Sequence, residues 1–275
     1  MKNIPHFSNT KKLSTKIKLI PLNGTQQTRN EFLKKIEISS AFNMKNQALF
    51  EYYGDDLIAY KKLAISDKKR NEFLRIFSSY LTDYLEGNIP SSWIECKTSF
   101  LEKLLFLFLP SKIKVTEDKD SISSFLVEFK KFAYWLDKKE QTNWVNHLIS
   151  YKDQLAELSL CEELFLDFFL KMYPSYFQTD WNYSSDKKRL NQLLKECNTI
   201  DSGLFEIKNI EYNVITLLNL YTNKSYRLSY FPMLDNYAGL ILHCTVGQQL
   251  NHRNWVLLKT FSVFPPQAKK YFTFI

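Results

Sequence analysis

The chain has 275 residues, 45% of them apolar and 16% aromatic, enough to fill one large core or two smaller ones. Its six glycines are never closer than eight residues, so neither GxGxxG nor GxxxxGK[ST] can be written and a Gly-rich phosphate cradle is excluded. The net charge of +8 sits at the ends: residues 1–70 carry +8, residues 71–200 carry −3 and residues 201–275 carry +3.

The opening segment, 1–29, holds six cations and no anion. Lys11, Lys12, Lys16 and Lys18 are candidate phosphate contacts, the alternative being a solvated basic tail. No apolar run has the length of a signal peptide or a membrane span. Cys96, Cys161, Cys197 and Cys244 form no CxxC pair, which suits free thiols. The expectation is a soluble cytoplasmic protein without a membrane partner, and nothing calls for a cofactor or a metal.

From Asn30 the apolar spacing is helical and predicts a helix to Gly54, irregular near Ile38 to Asn43. Asp67 opens a second helix with Phe73, Leu74, Phe77, Tyr80, Leu81, Tyr84 and Leu85 on one stripe, closed at Gly87. A third is expected between Pro90 and Pro110, with Trp93, Cys96, Phe100, Leu104 and Leu107 inward. Asp120 caps a fourth, running to about Lys138. A long periodic stretch from Thr142 to Pro174 carries a break placed near Ser159, and SSDKKRLNQLLKEC completes a helical domain over 30–200.

After Ser202 the rhythm changes to two residues. Phe205, Ile207, Tyr226, Leu228 and Tyr230 alternate with polar neighbours, and YTNKSY reads as a hairpin turn. Four or five strands in so short a segment must roll up or pack on the helices. The fold class expected is α+β, with a predominantly helical N-terminal domain followed, over 203–275, by a small β-barrel or bent antiparallel sheet and a short terminal helix.

YYGDD, residues 52–56, matches the Tyr-x-Asp-Asp of a template-copying polymerase, whose paired carboxylates hold metal ions. Only 52 residues precede Tyr53, too few for the other metal ligand and the nucleotide-binding subdomain, so Asp55 is read as the cap of a restarting helix. Asp153 with Glu157, and Glu163 with Asp167, are four apart on helical faces, but no E-x-x-H accompanies them. His243 and Cys244 are adjacent on a strand and so point to opposite faces. In the β region Tyr212, Tyr221, Tyr226, Tyr230, Tyr237 and Trp255 are interleaved with cations, the composition of a single-strand binding surface; alternation turns Tyr226 and Tyr230 inward.

The stretch FEIKNIEYNVITLLNLYTNKSYRL, with FLRIFSSYLTDYL and IPSSW ahead of it, resembles uncharacterised bacterial proteins that join a helical region to a small β module, some of them ending in a SEC-C zinc-binding tail. Asn219 and Asn223 stand where those proteins carry Asp and Gly, and the zinc tail is lacking here. The resemblance implies the two-part architecture and no activity. The function expected is non-catalytic binding of a protein partner or nucleic acid, with Lys11, Lys12, Lys16, Lys18, Lys208, Lys224 and Arg227 as candidate nucleic-acid contacts. The alternative is an enzyme with an active site between the two parts.

Overall fold

The structure is a computed structural model that describes residues 25–211, 214–229, 237–250 and 253–272. Lys11, Lys12, Lys16 and Lys18 therefore lie outside the described residues. The α+β expectation holds: helices dominate to residue 196, and a five-stranded antiparallel sheet follows.

The first predicted helix is divided. Helix α1 (Gln26–Ser40) is capped by Thr25, whose Oγ1 accepts from the Thr28 N–H, and a 3-10 turn (Asn46–Phe50) leads into α2 (Tyr52–Lys62). Gly54 does not end a helix; it lies in the first turn of α2, where a Cβ would stand 2.0 Å from the Ala48 carbonyl oxygen. Its missing side chain lets the 3-10 turn press on α2. Asp55 is accordingly a first-turn residue favoured by the helix dipole, not a cap, and it pairs with Lys35 at 2.6 Å. Asp56 turns inward, accepting from Trp93 Nε1 at 2.6 Å and pairing with Lys139 at 2.5 Å. The two carboxylates diverge on a helix, and the polymerase likeness is a coincidence of letters.

Asp67 caps α3 (Lys68–Ser79) through the Lys69 and Arg70 N–H groups, and a π-helical turn (Tyr80–Tyr84) carries the stripe toward Gly87. Gly87 adopts φ 78°, as a helix stop should. The third helix starts later than Pro90 suggests. Residues 91–97 are irregular, because Trp93 must enter the core beside Phe77 and Trp144 and reach Asp56. Helix α4 (Thr98–Glu102) then continues through a π segment (Lys103–Phe108) into a 3-10 turn containing Pro110.

Helix α5 (Ser121–Glu140) buries Ile122, Phe125, Phe129, Phe132, Ala133 and Leu136 as its spacing predicts. Its terminal N–H groups are satisfied from a distance: the buried Glu162 carboxylate accepts from Ser121 N at 2.9 Å and Ile122 N at 3.1 Å. The long stretch after Thr142 breaks at Tyr151, not near Ser159, giving α6 (Trp144–Ser150) and α7 (Lys152–Met172). Asp137 fixes α6 by accepting from the Trp144 and Val145 N–H groups. Helix α8 (Tyr183–Glu196) begins at Asn182, which caps it.

The sheet runs in the order β3-β2-β1-β4-β5, with β1 (Cys197–Glu211) central, β2 (Val214–Asn219), β3 (Ser225–Ser229), β4 (Ile241–Gln249) and β5 (Val256–Phe264). The front of β1 pairs with β4 and its back with β2, and bulges interrupt the ladders. Bulges sharpen local twist. The sheet bends until its edges touch, with Trp255 N donating to the Arg227 carbonyl at 2.8 Å, but the ladder does not close. Of the two forms expected, a barrel or a bent antiparallel sheet, the open sheet holds: one bridge is too little pairing to join β3 to β5.

Two cores result. Rings of Phe73, Phe77, Trp93, Phe129, Phe132 and Trp144 interlock in the helical one. Cys161, Leu164 and Phe168 of α7 join Phe205, Leu217, Leu242, Cys244 and Val263 in the other. Tyr226 and Leu228 face inward as alternation requires; Tyr212 and Tyr230 lie outside the described residues. The terminal PPQAKKYFTF expectation is met by a 3-10 helix (Pro266–Tyr271).

Gly54→Ala should cost about 3 kcal/mol, since the methyl meets backbone, which cannot step aside. Glu162→Ala should cost roughly 2–3 kcal/mol by stranding the buried Ile122 N–H and the partly buried Ser121 N–H. Both would appear as lower urea midpoints with unchanged m-values.

Candidate nucleic-acid interface

The cations predicted from the β region all sit at the surface. Lys208, next to a bulge in β1, pairs with Glu206 at 2.6 Å, and Lys269 takes the other oxygen at 2.7 Å. Arg227 lies opposite Thr216, so its side chain points to the outer face, away from Tyr226 and Leu228. Lys224 is exposed just past Asn223 in the hairpin. Of the rings expected beside them, Tyr226 and Tyr237 are buried and Trp255 is half-buried against Tyr226 at 4.7 Å, whereas Tyr221 in the hairpin is 39% exposed. Tyr226 donates to Asp201, and burial followed by that bond pushes its phenol up to about 12.

The hairpin gives Asn219 and Asn223 local roles. Asn219 Oδ1 accepts from the Tyr221 and Thr222 N–H groups at 2.9 and 3.1 Å, which Asp would also do. Asn223 takes φ 55°, tolerated by Asn as by Gly.

A ring surface exists at another place, between α7 and α8. Tyr173, Tyr176, Phe177, Trp181 and Tyr183 fall within eleven residues of sequence and meet edge-on or stacked, with Tyr176–Trp181 centroids 4.9 Å apart and Tyr173–Tyr183 6.4 Å apart. None is fully buried, and Phe177 and Tyr183 are 36% and 52% exposed. The turn is anchored from below. Trp181 Nε1 donates to the buried Asp186 at 2.9 Å, Asn182 caps α8, and Arg189 donates to the Met172 carbonyl and to Asp186. Lys187, Lys188 and Arg189 follow on the first turns of α8, with Lys187 Nζ 6.0 Å from the Tyr183 ring. Strand alternation does not point to this turn, and sequence reasoning misses it; the available signal is YPSYFQTDWNYSSDKKR, where a cluster of rings precedes a run of cations.

Where the helical half meets the sheet, Leu107, Leu204, Ile241, Phe264 and Ala268 fill the seam. Beside them Glu102 accepts from Tyr151 at 3.3 Å and from Tyr271, and pairs with Lys270 at 2.6 Å. Burial alone would raise the Glu102 carboxyl, but the bonds from Lys270 and Tyr271 outweigh it and hold it below the usual range. His243 packs on Phe261 at 4.7 Å, opposite in direction to the fully buried Cys244, and burial lowers its pKa. Among the described residues no group of three or more His, Cys, Asp or Glu side chains could hold a metal ion, and no helix is long and apolar enough to cross a membrane. No family model, curated protein or solved structure matches the chain.

A carboxyl with a depressed folded pKa stabilises above its unfolded value and loses that contribution as pH falls through the folded one. Glu102→Gln should therefore be less stable than the parent chain at neutral pH, with the difference vanishing on acidification below the ordinary glutamate range. Denaturation midpoints followed from pH 7 downward check this.

Proposed function

We propose that this is a non-catalytic, cytoplasmic binding protein of bacterial type whose ligand is single-stranded nucleic acid. The observation that carries the reading is the half-exposed ring series from Tyr173 to Tyr183 bordered by Lys187, Lys188 and Arg189. Ring faces accept successive bases whatever their sequence, while ammonium and guanidinium groups neutralise the phosphates between them. Lys208, Lys224 and Arg227 supply a second cationic surface on the sheet, and Lys11, Lys12, Lys16 and Lys18 add to the positive field. The likeness to bacterial proteins that join helices to a small β module belongs to this proposal and contributes no activity. The filled seam and the fully engaged Glu102 favour binding over an active site between the halves.

The test is titration of the full chain into labelled single-stranded DNA and RNA of about 20 nucleotides, a span chosen to cover more than one binding footprint. Affinity should fall steeply with salt. Phe177→Ala and Tyr183→Ala should each weaken binding by roughly 5- to 100-fold, the worth of one stacked base, without altering thermal stability. Lys187→Gln with Lys188→Gln should reduce the salt slope by about 0.7 for each phosphate no longer neutralised. Salt-insensitive binding, or ring variants that bind like the parent, would overturn the reading and turn the search toward a protein partner.

A further inference from the structure

A groove of about 580 Å³ opens between the 3-10 turn Asn46–Phe50, the start of α2 and the loop after the π turn, remote in sequence from the ring series. That volume lies in the range of small-molecule sites. Among the described residues none that lines it is cationic, whereas Glu51 and Glu86 both do. In a chain of net charge +8 this is a local reversal of sign. The neighbouring groove across Ile89, about 390 Å³, is lined by Lys97 and Lys103 as well as by Glu95.

Two further observations point to a ligand. Tyr53 lines the groove and is only 1% exposed, yet its hydroxyl makes no hydrogen bond to another described residue. The ring is enclosed but the hydroxyl oxygen is not itself fully buried, so it is reachable from the groove that Tyr53 lines. Burial and then the charges of Glu51 and Asp83 raise its pKa, which keeps it a neutral hydroxyl beside carboxylates. At the rim, Asp83 already holds an ammonium, that of Lys45, at 2.6 Å. Phe50, 40% exposed, adds a ring to the same wall.

We propose that this groove binds a small organic polycation of the alkylammonium class. Its ammonium groups would meet Glu51 and Glu86, one N–H would donate to the Tyr53 oxygen, and its methylenes would lie on Phe50 and Ile89. The proposal stands apart from the nucleic-acid reading, and either can fail alone.

Calorimetric titration of the full chain with spermidine, in the absence of nucleic acid, tests it. Saturable one-site binding is expected, weakened about tenfold by Glu51→Gln or Glu86→Gln, a loss typical of one ion pair in a groove. Tyr53→Phe should weaken binding severalfold with an unchanged melting temperature, because the lost hydroxyl bonds nothing among the described residues. Lys45→Ala should tighten binding by freeing Asp83. Absence of heat at millimolar spermidine, affinity unmoved in the Glu51→Gln/Glu86→Gln double variant, or tighter binding of a lysine-containing peptide than of spermidine would each overturn the proposal.

Discussion

The whole molecule depends on α7 serving two cores at once. Its first half sends Leu155 and Leu158 into the helical core, and from Cys161 onward Leu164 and Phe168 pack beneath the sheet. At the changeover sits Glu162, an acid buried to 4% exposure that closes the open end of α5. Burial raises its pKa, and the two backbone N–H groups offset only part of that. A buried carboxylate is tolerable only when donors surround it, and two converging N–H groups at a helix start are a suitable pair. The position of α5, and with it the ring lattice it carries, is therefore tied to the rotation of α7 about its own axis.

The aromatic residues divide by task. Many are consumed in the helical core, where Phe77, Phe132 and Trp144 meet others edge-on and stacked. Such pairs add about 0.5–1.5 kcal/mol each beyond area burial, and they restrict rotation in a core that has few small residues to lock it. The turn between α7 and α8 uses rings differently. There Tyr176 and Trp181 hold one another while leaving neighbouring faces open, so the rigidity comes from ring contacts and the accessibility from the lack of a covering element among the described residues. A ring held in place beforehand loses little entropy when a flat ligand settles on it.

Charge is distributed in the same divided manner. Cations accompany the α7–α8 turn and the outer sheet face, while Glu51, Asp83 and Glu86 collect around Tyr53 at the start of α2. At the junction of helices and sheet, Glu102 and Lys270 neutralise each other with Tyr151 and Tyr271 alongside, so their charges cancel beside the apolar floor of the seam. Close pairing of that kind joins the halves without exposing either to repulsion from the net positive charge.

The sequence by itself determined the features that local periodicity encodes: the helical stripe through Phe73, Phe77 and Leu81, the buried face of α5, the change to two-residue rhythm, and the opposite directions of His243 and Cys244. Those properties reside in spacing along one element. Long-range contacts were illegible. Gly54 looks like a stop because glycine ends helices, and only the approach of Ala48 shows it as a packing site inside one. Ser159 looks like a break, but the chain turns at Tyr151, seven residues after the start of α6 that Asp137 fixes from the preceding helix. Whether the strands closed was settled by how bulges bent β1, and whether a ring faced water was settled by which helix covered it. Tertiary structure alone could bring Glu51, Tyr53 and Glu86 to one groove, because residues more than thirty apart meet through packing that no single segment encodes.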